Sequence, residues 1–419
     1  MTQPNPSSLP LATHTVSTGR SADRSQLRTA VYVLVVLTAG AYLPSPLYPG
    51  YQEMFGISDL LMTVVYATFA LVSAPALVMC GSVSDAVGPR LVLRVSLLLA
   101  ALGSACFLFA SGPAWLLAGR AAQGFALGAA TGAAGALISA RSGGRRAGSG
   151  AVLASIAFVS GTAAGPVAGG FLAQYVPAPH LVPFVLHLVL LGFGWRRVSG
   201  LDSSVSGTLR WKPALPEVPR GMRRLFATAA ASGFLAWTVA GLFLAVIPTL
   251  LTRTMQAGTA LVGCVLGAVL ICSVLTQPFV PRIGTRAAQL AGLGALLVSL
   301  GLLAATTGAS VVLTLLAAVV AGCGHGLAYG GAASAIDVVA PADKRGAITG
   351  ALHLAFYLGA GCPAVVVGLI TLGHSLATAT TWVTVGTAAL VPVAALAVLL
   401  VAQPRIALMT GNTARLESK

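Results

Sequence analysis

Apolar residues run along this chain in long blocks of about twenty or more, separated by short polar breaks. The pattern predicts helices over residues 29–49, 58–80, 91–111, 114–139, 148–174, 180–196, 225–251, 258–279, 287–307, 309–337, 346–371 and 376–402. Strands of a closed barrel would alternate apolar and polar positions over about ten residues. These blocks are unbroken and rich in Ala, Leu and Gly, so their backbone hydrogen bonds are expected to close within helices. The longest polar break, residues 197–224, divides twelve such helices into six and six. The expected fold class is an all-α membrane protein of two pseudo-symmetric six-helix bundles.

Composition strengthens the membrane reading. Of 419 residues, 57% are hydrophobic and 8% are charged, with a mean hydropathy of +0.90. A water-soluble domain carries about 25% charged residues. The formal charge of +15 raises nucleic acid as a partner, and its distribution argues against that. With the N-terminus placed inside, Lys and Arg gather in the N-terminal tail, in every second connection and in the C-terminal tail. Only Arg253 falls on the other side, and Arg120 falls within a span. The expected segments are a cytoplasmic tail 1–28, a bundle 29–196, a cytoplasmic linker 197–224, a second bundle 225–402 and a cytoplasmic tail 403–419. Residues 1–28 are polar, without the apolar core of a signal peptide. Arg outnumbers Lys and Ala and Gly are heavily used, which points to a GC-rich genome and so to a bacterial cytoplasmic membrane. The six cysteines sit singly in apolar spans, with no spacing suited to a metal.

The two halves echo each other about 196–200 residues apart. Asp85-Ala-Val-Gly88-Pro-Arg90 faces Pro281-Arg-Ile-Gly284-Thr-Arg286, Arg145-Arg146-Ala-Gly148 faces Lys344-Arg345-Gly346, and Gly165-Pro166 faces Cys362-Pro363. Echoes at equivalent stations imply an internal duplication, the plan of a carrier that binds its solute between the halves.

Three motifs narrow the class. After the second span stands Gly81-Ser-Val-Ser-Asp85-Ala-Val-Gly88-Pro-Arg90, followed by Leu93 and Arg94. The fourth span opens Arg120-Ala-Ala-Gln123-Gly124, and the fifth carries Gly161-Thr-Ala-Ala-Gly165-Pro166-Val-Ala-Gly169-Gly170. These resemble the loop, the arginine motif and the antiporter motif of the major facilitator superfamily, over residues 29–402. Ala86 and Pro89 replace two basic positions of the loop, and Val152 replaces the first glycine of the antiporter motif. The resemblance implies that Gly81, Asp85, Gly88, Arg90 and Arg94 form a conformational latch on the cytoplasmic side. It implies that Gly161, Gly165, Pro166, Gly169 and Gly170 mark proton-exchanging exporters, and that Arg120 takes part in proton coupling. The carboxylate that many relatives carry in the first helix is absent here.

Other chemistry is sparse. An ionisable group inside a membrane is expensive and points to function. Beside Arg120, the proton-coupling candidates are His325, deep in the tenth span, and Asp337 near its cytoplasmic end, where Lys344 and Arg345 offer it partners. His187 and His353 are weaker candidates, and Asp59 reads as an acid favouring the start of its own helix. Tyr42, Gln123, Phe234, Trp237, Tyr329 and Tyr357 are candidates for lining a solute cavity. No nucleophile–base pair, P-loop or metal cluster occurs, so neither an enzyme nor a cofactor is expected.

The resemblance implies a secondary active transporter, exporting small lipophilic molecules or antibiotics in exchange for protons. An uptake permease for a sugar, organic acid or nucleoside shares the same plan, and a non-transporting membrane sensor is a third possibility. The partners expected are a small-molecule substrate, protons and membrane lipids, around a monomer.

Overall fold

A computed structural model describes residues 15–80, 83–141, 149–201, 218–306, 309–341 and 345–401. Twelve long helices run through them: α1 (Thr15–Tyr42), α2 (Asp59–Cys80), α3 (Pro89–Leu108), α4 (Pro113–Arg141), α5 (Ser149–Tyr175), α6 (Val182–Ser199), α7 (Arg223–Ala245), α8 (Thr259–Thr276), α9 (Thr285–Thr306), α10 (Val311–Val339), α11 (Arg345–Ile370) and α12 (Leu376–Leu400). Eleven segments are long and apolar enough to cross a membrane. The remaining helix, α6, ends in the basic turn Arg196-Arg197, which lowers its average apolarity. The side on which α1 begins and α12 ends also receives the polar connection after α6; it is called the linker side below, and its opposite the far side.

Two expected helices end earlier than the apolar pattern implied, for one reason. The block 29–49 is interrupted because Pro44 and Pro46 lack the N–H that would continue the ladder. The helix therefore ends at Tyr42, passes through a 3-10 turn at Ser45–Leu47 and resumes as a short helix, Tyr48–Phe55. The block 225–251 breaks likewise at Val246, ahead of Pro248, and resumes as Ile247–Met255. Both short helices stop at a left-handed residue, Gly56 at φ 62° and Gln256 at φ 51°. At its other end α1 starts at Thr15, well before the expected 29.

The duplication is visible in the packing. Gly88 (φ 83°, ψ 150°) and Gly284 (φ 85°, ψ 154°) occupy the same backbone region, one that a side chain essentially forbids, and each opens the helix that follows its turn. Gly124 and Gly128 of α4 lie against the backbone of Phe69 and Ser73 in α2. Gly322 and Gly326 of α10 lie against Val269 and Ser273 in α8. Gly161 of α5 meets Val35 of α1, as Gly359 of α11 meets Phe234 of α7. Between the halves, Gly170 of α5 meets Thr259 and Gly263 of α8, and Gly368 of α11 meets Leu60 and Thr63 of α2. Small residues of this kind let helix backbones touch where the hydrophobic effect cannot drive helices together.

The halves therefore join along two seams, α5 with α8 and α2 with α11. In their apolar windows α1 and α7 are 78% and 72% buried and α12 only 28%, which puts the first two at the centre and the last at the periphery. The exposed side chains of α12, among them Leu390, Val393 and Leu396, are apolar, as a lipid-facing surface requires.

Candidate functional site

The break in α1 creates a polar station inside the first bundle. A helix end leaves carbonyls without partners and carries a partial negative charge. Here the Gly40 and Ala41 carbonyls are met by α4: Arg120 Nη1 donates to Ala41 O, and Gln123 Nε2 donates to Gly40 O at 3.2 Å. Gln123 Oε1 accepts a second Arg120 hydrogen bond at 3.1 Å. The guanidinium is fully buried, 4.4 Å from the centre of the Phe69 ring and 5.9 Å from that of Tyr66. Stripping an arginine of water costs several kcal/mol. The helix end and a desolvated aromatic face each return about 2 kcal/mol. Arg120 Nε and Nη2 have no partner among the described residues. A guanidinium is a fixed positive charge with five donors and no acceptor.

The second bundle supplies an aromatic cluster with a histidine inside it. His325 is fully buried, with Nδ1 2.8 Å from Ser273 Oγ of α8. Trp237 of α7 stands edge-on to it at 4.8 Å, and Tyr329 stacks on it at 5.4 Å. Tyr329 also meets Phe356 and His353 of α11. His325 Nε2 and Trp237 Nε1 are buried without a hydrogen-bond partner among the described residues. Tyr42 and Tyr357 approach from opposite halves, each edge-on to Phe69, at 5.4 and 6.4 Å. Of the cavity candidates, Tyr42 and Tyr357 thus meet across the halves on Phe69, while Trp237 and Tyr329 pack around His325 in the second half. Gln123 is instead committed to the α1 end, and Phe234 contributes the backbone on which Gly359 rests.

His187 and His353 differ from His325. His187 Nε2 donates to the Val36 carbonyl at 3.1 Å, which leaves Nδ1 to accept from Ser104 at 2.7 Å, so both nitrogens are satisfied. His353 Nδ1 donates to Thr349 O of its own helix.

Polar contacts across the halves concentrate on the far side. Arg253, in the short helix after α7, grips Asp59 at the start of α2 with two 2.8 Å hydrogen bonds. Gln52 donates to Asp59 at 2.8 Å and accepts from Thr249 at 2.7 Å. Gln174 at the end of α5 accepts from the Ala260 N–H, filling a vacant donor at the start of α8. In the linker-side half of the seam, Ser155 donates to Gln277 at 2.7 Å. The Asp59, Arg253, Gln52, Thr249 and Gln174 contacts hold the far side together across the halves. The antiporter-motif residues divide between two jobs. Gly161, Gly165 and Gly169 form one face against α1, where a Cβ on Gly165 would stand 2.4 Å from Ala39 O. Pro166 and Gly170 meet Gly263 and Thr259 across the seam.

Of the latch residues, Gly81 and the side chain of Asp85 lie outside the described residues. Arg90 donates to the Ser199 carbonyl at 2.7 Å and Arg94 to the Ser199 hydroxyl at 2.9 Å, tying the loop to the end of α6 in the same half. Arg94 also covers the Trp195 ring at 5.2 Å. Asp337 lies in the last turn of α10, away from the aromatic cluster. Asp59, Arg253, Gln52 and Thr249 were not among the predicted site residues. The one signal in the sequence was Arg253, a lone base on the far side.

Two bundles joined along packed seams, with polar groups between them, are the plan of a membrane carrier. The major facilitator superfamily model matches residues 30–363, and the chain belongs to that superfamily. It is a multi-pass integral membrane protein and a secondary transporter. No curated protein sequence matches it significantly. Among solved structures it is similar to a bacterial homologue of the human lysosomal transporter Spinster, in an inward-facing and unoccupied conformation. The TM-score is 0.65 at 14% identity, over 90% of this chain and 96% of the other. At that identity the likeness speaks for the fold alone.

Proposed function

We propose that this chain exports small lipophilic molecules from the bacterial cytoplasm in exchange for protons, as a monomer, by alternating access. The linker side is the cytoplasmic one in this reading, because nearly all Lys and Arg residues fall there. The observation that carries export is the fifth-helix motif, whose Pro166 and Gly170 sit against α8 of the other half, where the halves must part. His325 is the proton carrier: Ser273 fixes one ring nitrogen and the other is unengaged. Each proton entering down the membrane potential supplies roughly 2.3 kcal/mol per 100 mV.

Inverted vesicles carrying an imposed proton gradient, challenged with a panel of antibiotics and other lipophiles, test this directly. Solute-dependent proton release that disappears in His325→Gln is the expected result. Solute movement with no proton release would remove the exchange mechanism. An uptake permease is the second reading, favoured by the lack of a carboxylate in the first helix. Solute accumulation in right-side-out vesicles would select it.

A further inference from the structure

We infer that the transported solute carries an electron-rich oxygen, anionic or strongly hydrogen-bond accepting, and that it is bound in preference to lipophilic cations. The inference deepens the transport reading, resting on it only in taking the meeting place of the halves as the solute's station.

The argument begins with the acids. The chain has nine: Asp23, Glu53, Asp59, Asp85, Asp202, Glu217, Asp337, Asp343 and Glu417. None lies in the middle of a span. Asp23 is held by Arg141 at the linker-side end of α4, Asp59 by Arg253 at the far side, and Asp337 is two residues from the end of α10. A carrier of lipophilic cations is best served by a negative counter-charge where the cation rests, because an aromatic face alone returns only about 2 kcal/mol against the cost of desolvation. This membrane interior has none to offer.

It has the opposite. Arg120 is the formal charge of the interior, and its compensation is incomplete. One carbonyl, one amide oxygen and two ring faces surround it. The α1 end supplies about half a unit of negative charge. Two of its nitrogens, Nε and Nη2, carrying three N–H donors, remain without partners among the described residues. The remaining positive field faces the junction of the halves at Phe69, whose ring Arg120 covers and which meets Tyr42 of its own half and Tyr357 of the other. In the aromatic cluster of the second half the Trp237 indole N–H is also unpartnered among the described residues, and an indole can only donate. Unspent donors and a positive field are complementary to a carboxylate, phenolate or carbonyl oxygen. Arg120 has no accessible surface of its own, so it selects by field, while Trp237 makes contact.

The size of the effect follows from distance. At about 10 Å and an effective dielectric near 20, half a unit of charge separates an anion from a cation roughly tenfold in binding. The test uses the full chain in lipid nanodiscs and three probes on one scaffold: 4-phenylbutanoate, its carboxamide and 4-phenylbutylamine. Binding is read by calorimetry. The acid should bind about tenfold tighter than the amine, with the amide between them. Arg120→Gln should bring the acid-to-amine ratio towards one, and Arg120→Lys should preserve it. Trp237→Phe should weaken acid and amide alike. If Arg120→Gln does not fold, the native ratio and the lysine variant still decide. An amine that binds as tightly as the acid, or no binding by any probe up to millimolar concentration, overturns the inference. Failure of proton exchange would show instead in the vesicle assay and would leave this binding order intact.

Discussion

Breaking the ion pair that closes the far side should shift the carrier towards its far-open state. Asp59→Asn removes one charge of the Asp59–Arg253 pair and keeps an oxygen for Gln52. Arg253 is half-exposed, at 50%, and Asp59 at 17%, so the pair is well screened. Pairs of this exposure contribute at most about 1 kcal/mol, and the two-pronged geometry puts this one at the upper end. A contact present only when the far side is closed transfers its whole worth to the equilibrium, so about 1 kcal/mol becomes a roughly fivefold rise in the far-open population. Phe109 and Val312 are exposed at the far ends of α3 and α10, one in each half. Spin labels there report the gap by pulsed electron resonance. The wild-type distribution should gain a longer component in Asp59→Asn and lose it again in the charge-swapped double variant Asp59→Arg with Arg253→Asp. Distributions indistinguishable in all three proteins would refute the gate.

Gly170→Val should strain the α5–α8 seam by about 1–3 kcal/mol, since even a Cβ would lie 2.4 Å from the Thr259 carbonyl. A thermal-stability drop beside an unchanged Gly135→Ala control, where nothing lies within 4 Å, checks it. Gly88→Ala and Gly284→Ala should each lose about 1–3 kcal/mol, because both glycines occupy a region closed to side chains. Equal melting temperatures in wild type and variants would count against the strain. His325→Gln should abolish proton release while the protein stays folded. His187→Gln should chiefly lower stability, having two satisfied nitrogens to lose. The reverse assignment of flux and melting would exchange their roles.

The fold was legible because lipid imposes it: backbone groups with no water to bond must close within helices, and apolar length then counts the spans. The helix breaks at Pro44 and Pro248 were less legible, because membrane bundles tolerate proline and its presence alone does not say which helix stops. Arg120 was conspicuous as a charge in a span, but its role at the α1 end depends on carbonyls of Gly40 and Ala41 that every residue possesses. Asp59 looked like an acid at its own helix start and proved to be gripped by a base 194 residues away. Pairings of that length depend on how the two bundles face each other, which local patterns do not encode.

The duplication itself indicates where recognition belongs. Four of the glycine contacts that hold the bundles repeat 198 positions apart: Gly124 with Gly322, Gly128 with Gly326, Gly161 with Gly359 and Gly170 with Gly368. The polar and aromatic groups at the centre do not. At 198 residues' remove, Arg120 and Gln123 have Ala318 and Ala321, while His325 has Leu127 and Tyr329 has Thr131. A scaffold that rocks about a pseudo-twofold axis works best if its moving contacts stay alike in both halves. A small molecule lying on that axis has no such symmetry, and halves that remained alike there would present it with two competing poses. Divergence at the axis is therefore what solute recognition demands. In this chain it takes a particular form, with a buried positive charge on one side and unpartnered aromatic and imidazole nitrogens on the other.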